Sequence, residues 1–361
     1  MVRNSNLFIY NHFEQLKGIT TKSGLIRSLK QYYFSNDLAR QAGYSVFDST
    51  ATTFLLSSGV EDSECVDMIH RYREISRGYA PKERIPMKHC VNNIWLVKPT
   101  NANQGRGIEI FSDLEDLLTF VNSRPQYSCW VVQKYVERPL LFKQRKFDIR
   151  VWALMTHRHE VFFYKKGYLR TSSDEYSLAN GNNYVHLTNN CLQKFGDNYG
   201  AHEDGNTVGF EVFQQYLDEN FPEHNLTVQE HFIPRMKDLI IDSFLAVKPQ
   251  LNPNKRKHCF ELFGYDFLID EDFRLWLIEI NTNPYFGVPN NYIAQVLPKM
   301  MDDLLTIVVD PYYPPEVVPE NCKQPNEFEV IYCEGNSAYG PPTNQRRPFS
   351  CSLYPVASLA Q

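Results

Sequence analysis

The chain lacks the cysteine pairs that mark metal ribbons and disulfide scaffolds. Its 8 cysteines stand singly, from Cys65 to Cys351, with no Cys-x-x-Cys among them. Neither a zinc site nor a disulfide framework is indicated. It also lacks a long apolar run, since nothing approaches the roughly 18 residues a membrane helix needs. The opening stretch MVRNSNLFIYNHFEQ has no apolar segment of the secretion-signal kind. A cytoplasmic protein without membrane attachment is expected. There is no excess of positive charge: the formal net charge is −5, so nothing global suggests nucleic acid. Local basic clusters still leave room for an acidic protein partner. Neither the His-Arg-Asp loop nor the Asp-Phe-Gly triplet of protein kinases occurs.

What the chain has is core material. Of its 361 residues, 43% are hydrophobic and 14% aromatic. That argues against global disorder and for one large domain or a few packed lobes. Residues 1–90 read as a short N-terminal lobe, with helices over SGLIRSLKQYY and SECVDMIHRYREISRGY. From residue 91 strands take over. NIWLVKP and IEIF flank the loop TNANQGRG, and a helix follows over SDLEDLLTFVNSR, where Ser112 and Glu115 stand at capping-box spacing. CWVVQKYV reads as a strand, and KFDIRVWALMT with EVFFYKKGYLR as a hairpin around HRH. Residues 176–209, rich in Asn and Gly, read as a long loop. Two helices, a second hairpin (CFELFGYDFLID with FRLWLIEIN) and a last helix complete residues 91–315. Residues 316–361 read as a loosely ordered tail. The expected class is α+β with antiparallel sheets flanked by helices.

The second hairpin carries the sharpest chemical signal. With its turn centred on Glu271–Arg274, Asp270 lies opposite Leu275, Leu268 opposite Leu277, Asp266 opposite Glu279 and Gly264 opposite Asn281. Like charges directly opposed, with Cβ atoms about 5 Å apart, destabilise a sheet. A hard cation such as Mg²⁺ would relieve that repulsion and accept the Asn281 amide oxygen as well. A solvated face, or two carboxyls sharing a proton, is the plainer alternative. The glycine loop is neither a Walker loop nor a dinucleotide fingerprint, because a strand and not a helix follows it. It reads either as a plain turn or as a cover over phosphates, with Lys98 facing them as a point charge. In RKFDIRVW the charged Lys146, Asp148 and Arg150 alternate with Phe147, Ile149 and Val151. That is either an ordinary half-solvated strand or a cleft wall built to meet phosphate and carboxylate. Arg170 would stand near the same wall.

Taken together and in order, NIWLVKPTNANQGRGIEIF, VVQKYVERPLL, RKFDIRVWALM, GYLRTSSDEY, VHLTNNCLQKF, NYGAHEDGN and FELFGYDFLIDEDFRLWLIEINTNP resemble the tubulin–tyrosine ligase family over roughly residues 91–315. The resemblance implies an ATP-grasp fold. It implies that Lys98 and the loop Gly105, Arg106, Gly107 and Ile108 hold the triphosphate of ATP. Gln133, Lys134, Tyr135 and Val136 would line the adenine slot. Lys146 and Asp148 would contact nucleotide, and Thr188 and Asn189 would face nucleotide or substrate. Asp266, Glu279 and Asn281 would hold Mg²⁺. Arg150 and Arg170, with Lys146, would be the catalytic cations that receive carboxylate and acyl-phosphate oxygens. The implied reaction joins a free amino acid to a carboxylate on the acidic C-terminal tail of tubulin, through an acyl-phosphate. Such a step asks mainly for alignment and charge neutralisation, which suits a site without a Ser-His or Cys-His pair.

The stretch RKFDIR through EDGN is similar to tyrosine ligase proper. The loop with Pro99 and Gln104 is more like glutamylating or glycylating relatives. Tyrosine or glutamate is expected as the added amino acid, with glycine behind them. The segment before the glycine loop is shorter than the family's N-terminal lobe, and no long basic helical extension of the microtubule-binding kind is present. The expected protein is a monomer that works at microtubules or cilia. The competing readings are an ATP-grasp ligase acting on a small molecule or a non-tubulin protein, and a non-catalytic nucleotide-binding module.

Overall fold

The computed structural model describes residues 7–37, 45–78, 92–100, 107–124, 129–179, 182–317 and 324–336. Its strands are β1 (Thr53–Leu56), β2 (Trp95–Pro99), β3 (Glu109–Phe111), β4 (Trp130–Lys134), β5 (Leu141–Phe142), β6 (Arg145–Thr156), β7 (Glu160–Tyr164), β8 (Tyr168–Thr171), β9 (Thr207–Gly209), β10 (Phe260–Ile269), β11 (Leu275–Thr282) and β12 (Phe328–Cys333). They form two antiparallel sheets. The smaller runs β1-β4-β2-β3, and the larger runs β11-β10-β6-β7-β12, with β5 and β8 also paired to β6 and β9 to β8. Helices Lys22–Ser35, Ser63–Ser76, Leu114–Asn122, Phe210–Asn220, Ile233–Val247 and Asn291–Val308 flank them.

Strand β6 organises the larger sheet, because all twelve of its residues are buried. One set of alternate side chains, Phe147, Ile149, Val151, Ala153 and Met155, enters the main core with residues of helices Lys22–Ser35, Phe210–Asn220 and Ile233–Val247. On the opposite face Trp152 and Leu154 meet Ile293, Val296, Leu297 and Met300 of helix Asn291–Val308. That face changes character along the strand. Past Trp152 it carries Arg150, Asp148 and Lys146, still buried. The half-solvated alternative for RKFDIRVW is therefore wrong: both faces are covered, so its charges must be paired or facing a ligand.

The first hairpin is more divided than expected. β6 pairs with β7 only over Ala153–Met155, and the chain then turns back so that β8 pairs with the other half of β6, Asp148 opposite Arg170. In the second hairpin Asp266 faces Glu279 and Gly264 faces Asn281 as anticipated, but Leu268 faces Trp276 and Ile269 faces Leu275. The turn is the cause. Asp270 closes it by accepting from the backbone N–H of Asp272 and Arg274 and from Trp276 Nε1, with Phe273 at φ 61°. A register shift after Asp266 absorbs the one-residue difference.

Other expectations also shift. Asp113, not Ser112, caps helix Leu114–Asn122, accepting from the N–H of Glu115 and Asp116. β1 lies in the segment read as an N-terminal lobe, yet it hydrogen-bonds to β4 with Thr53 opposite Gln133. The stretch 176–209 contains single helical turns at Asn183–His186 and Asn190–Gln193 before β9. Part of the supposed tail is a strand, with β12 pairing along β7. Phe328 is buried in the second core, and Lys237 donates to Glu329 at 2.8 Å.

Candidate active site

Four adjacent strands bring the predicted charges into one row. β8 places Arg170 opposite Asp148, β6 places Arg150 opposite Asp266, and β10 places Asp266 opposite Glu279 of β11. Arg150 grips Asp266 with two bonds, Nε to Oδ1 at 2.5 Å and Nη2 to Oδ2 at 3.0 Å. Arg170 bridges two carboxylates: Nε donates to Asp148 Oδ2 at 2.9 Å, and Nη2 lies 2.8 Å from Asp266 Oδ2. Thr188 Oγ1 donates to Asp148. Gly264 makes room for the row, since a Cβ there would meet Arg150 Nη1 and Pro284 Cβ at 3.2 Å each.

The two facing carboxylates have different environments. Burial alone would raise the Asp266 carboxyl, but Arg150 and Arg170 outweigh it and hold the group well below the usual carboxylate range. Glu279 is raised, first by burial and then by the negative charge of Asp266. Asn281 Nδ2 lies between them, 3.3 Å from Asp266 Oδ2 and 3.2 Å from Glu279 Oε1. This donor set fits a hard divalent cation. The oxygens repel one another without one, and turning the Asn281 amide over would present a third oxygen. Asp266, Glu279 and Asn281 would hold the ion, whose charge would offset both carboxylates and attract phosphate oxygens.

The lysines lie on the other side. Lys98 Nζ donates to Gln133 Oε1 at 2.7 Å, and Gln133 Nε2 donates to Thr53 Oγ1 at 3.0 Å. Lys146 Nζ donates to Tyr135 OH and to the His186 carbonyl, both at 3.0 Å. Burial pushes Lys98 down to about 8, with Glu279 opposing. Burial, reinforced by Lys98, pushes Lys146 down to about 7. Both ammonium groups hydrogen-bond to neutral oxygens here, so each gains from a ligand that carries negative charge.

Not every predicted residue converges. Lys134 is turned away, its ammonium bound to Glu137 Oε1 at 2.5 Å and to the carbonyls of Ile94 and Tyr135. Val136 packs with Ala51, Leu268 and Trp276. Of the four-residue stretch, Gln133 and Tyr135 turn their side chains toward Lys98 and Lys146. Ile108 packs beside Leu96 and Tyr135, with Tyr176 and Leu178. Gly107 has φ 69°, a conformation that suits glycine. Gly105 and Arg106 lie outside the described residues. The Asn189 carbonyl accepts from the N–H of Leu192 and Gln193 in the short helical turn. Sequence reasoning missed Thr53 behind Gln133, His186, whose Nδ1 lies 2.9 Å from Tyr135 OH, and Lys22. The histidine of HLTN, two residues before Thr188, was the available sign.

Two antiparallel sheets flanked by helices are an architecture of the ATP-grasp kind. The chain belongs to the Tubulin-tyrosine ligase family, whose family model matches residues 2–316. It is similar to Tubulin glycylase 3A of Drosophila melanogaster, 42% identical over 224 residues, which are 60% of this chain and 22% of that protein. It is similar to Tubulin monoglycylase TTLL3 of Homo sapiens, 38% identical over 251 residues, covering 66% of this chain and 31% of the relative. Protein monoglycylase TTLL8 of Homo sapiens is 32% identical over 286 residues, covering 76% and 32%. The chain thus spans between about a fifth and a third of the length of these relatives.

Proposed function

We propose that this chain is an ATP-dependent ligase that joins glycine to a side-chain or terminal carboxylate in the acidic tail of tubulin, with Mg²⁺ at Asp266, Glu279 and Asn281. Glycine replaces the tyrosine or glutamate expected from the motifs, because these relatives are named as glycylases. The observation that carries the ligase reading is the row Arg170–Asp148 and Arg150–Asp266–Glu279 across four strands.

The chemistry balances with the groups present. The acceptor carboxylate attacks the terminal phosphorus of ATP, giving an acyl-phosphate and ADP. The glycine amine attacks the acyl carbon and loses a proton, an amide forms, and phosphate leaves. The two arginines divide the work. Arg150 is buried and committed bidentately to Asp266, so it positions that carboxylate rather than meeting the acceptor. Arg170 is about as buried as Arg150, its side chain 11% exposed against 9%, but it spans two carboxylates instead of gripping one, and we assign to it the shift to acceptor or acyl-phosphate oxygens. Lys98 and Lys146 neutralise phosphate charge in a site of low dielectric, where such contacts count most.

The test is incubation with Mg·ATP, tubulin and isotope-labelled glycine, glutamate or tyrosine, followed by mass spectrometry of the tails. Glycine on the tails is expected. Glutamate or tyrosine there would correct the amino acid, and label confined to small molecules would sink the tubulin reading.

A further inference from the structure

The chain leaves β11 through the uncharged loop NPYFGVPN, residues 283–290. Its middle is apolar and open to solvent: Tyr285, Phe286 and Val288 are 72%, 45% and 58% exposed. Single apolar side chains scattered on a surface are ordinary, but three within four residues form a patch. The loop is also held in a fixed shape. Tyr285 folds its ring back over Gly287, where a Cβ would fall 1.9 Å from the phenol oxygen, so this position requires glycine. Asn290 caps helix Asn291–Val308 by accepting from the N–H of Ile293. The N–H of Asn291 donates to Asp204 Oδ2 at 3.0 Å.

Both ends of the loop are tied to the arginine end of the charged row. Pro284 is buried and packs against β10, where a Cβ on Gly264 would meet both Pro284 Cβ and Arg150 Nη1 at 3.2 Å. At the other end Asn290 Nδ2 donates to Thr207 Oγ1 at 2.7 Å, and Thr207 lies opposite Arg170 in the β8–β9 pair. The loop thus starts beside one arginine and closes beside the strand partner of the other. Its apolar middle stands as a lip at that end of the row. The lysines have a separate opening. A cavity of about 230 Å³ beside Glu279 is lined by Lys22, Lys98 and Gln133, and its lining reaches Asn281 but not the lip.

Charge and size decide which reactant the lip suits. Glycine has no side chain to place there, and phosphate gains nothing from apolar groups. The acceptor is the reactant assigned to the arginine end, and it is an acidic peptide that extends beyond its reacting carboxylate. Residues 281–292 carry no charge, and Asp204, the carboxylate that meets the loop, is engaged by the N–H of Asn291. The lip therefore does not repel an acidic peptide, and what it can cover is an apolar side chain. We propose that Tyr285, Phe286 and Val288 form a specificity subsite for the acceptor, taking a large apolar side chain within about four residues of the modified carboxylate. Tyr285 stands four residues past Asn281, and an extended peptide covers about 13 Å in that many residues. This rests on the ligase reading of the same cleft.

The test uses fluorescent acidic peptides of equal length and charge. In one series a phenylalanine occupies each position within four of a central glutamate, and in the counterpart serine stands there. Covering part of an aromatic side chain corresponds to about 5- to 30-fold in affinity. By fluorescence anisotropy the full chain is expected to favour the best phenylalanine peptide over its serine counterpart by that factor. The same ratio is expected in KM with Mg·ATP and labelled glycine. The double variant Phe286→Ser, Val288→Ser is expected to lose the preference while keeping its affinity for a non-hydrolysable ATP analogue, and Phe286→Leu to keep most of the preference. Melting curves establish that each variant is folded, and Phe286→Ser alone replaces the double variant if the latter is not. Equal affinity of the wild type for both series, or a preference that survives the double variant, would overturn the assignment. So would sedimentation in which the wild type self-associates and the double variant does not, with peptide affinities unchanged, since the lip would then join copies of this chain. Label on both series without preference would sink the subsite alone. Label on no peptide and not on tubulin, with glycine, glutamate or tyrosine, would overturn the ligase reading.

Discussion

Replacing Glu279 with Gln separates stability from activity in a way few other changes here would. In the ion-free protein Glu279 faces Asp266 across the β10–β11 ladder. Two unit charges about 5 Å apart at an effective dielectric near 20 repel by about 3 kcal/mol. Lys22, Lys98 and Arg170 offset part of this. The net balance is nevertheless unfavourable, because the Glu279 carboxyl is raised, by burial first and by Asp266 second. Its sign with pH follows. A carboxyl whose folded-state pKa is raised costs nothing below the ordinary glutamate pKa, and its cost grows as pH rises through the folded value. Glu279→Gln should therefore melt like wild type near pH 4 and higher than wild type at pH 8, by about 1–3 kcal/mol, or several degrees for a chain of this size. Adding Mg·ATP should reverse the order, since only wild type retains both carboxylates, and ligation should fall by more than about 100-fold. Differential scanning fluorimetry at both pH values, with and without Mg·ATP, reads all of this. A variant that melts below wild type at pH 8 would refute the repulsion argument. One that keeps full Mg²⁺-dependent activity would refute the metal assignment.

Nucleotide binding should take up protons. At pH 8 Lys98, at about 8, is roughly half neutral and Lys146, at about 7, largely so; phosphate draws both toward the charged form, so about one proton should be absorbed per nucleotide. Titration in buffers of different ionisation enthalpy measures it, with affinity falling from pH 7 to pH 9. In the nucleotide-free protein both depressed lysines favour unfolding at low pH, so their contribution to stability should grow as pH rises from about 7 toward the ordinary lysine value. Arg170→Ala should raise the acceptor KM or lower turnover by about 100-fold while changing ATP affinity little; unaltered acceptor kinetics would remove Arg170 from that role. Lys134→Met should destabilise the fold by about 3–5 kcal/mol, because Glu137 is left charged and buried. A denaturant midpoint shift of that size, with nucleotide affinity retained in the folded fraction, is the expected result.

The elements with strong periodicity were legible in the sequence, and so was the pairing of Asp266 with Glu279. Alternation in RKFDIRVW and in FGYDFLID set which residues share a face, and strand pairing then had only a few registers to choose from. That is why Asp266 and Glu279 were found opposite each other. The misses have separate physical causes. The Asp270 turn depends on a side chain accepting three bonds at once, and the pattern of apolar residues carries no trace of it. Lys134 reads like a cleft lysine until Glu137, three residues on, captures it. β1 and β12 are short pieces whose partners lie far away in the chain, so nothing local marked Thr53 as the support for Gln133 or Phe328 as core. Lys22 was passed over because its segment reads as an amphipathic packing helix. Only the three-dimensional arrangement brings its first residue to the cavity beside Glu279.

The placement of charge says why this cleft is made of strands. A lysine or arginine on a helix end can swing by several ångströms and relax into solvent. On β6 the charged residues sit on a strand whose every residue is buried, two positions apart, with apolar neighbours locking the backbone between them. Asp266 and Arg150 are held directly opposed, so the arginine cannot leave without abandoning a buried carboxylate. Glu279 gains no such partner and is left facing the same carboxylate from the other side. The sheet thus spends stability to keep one acid fully ionised and the next one short of positive charge. Such an arrangement is costly in a packing core, and the cost is relieved if the deficit is met by something that binds. Two carboxylates and an amide on one side, and lysines resting on neutral oxygens on the other, define complementary deficits. A divalent cation carrying a polyphosphate satisfies both at once.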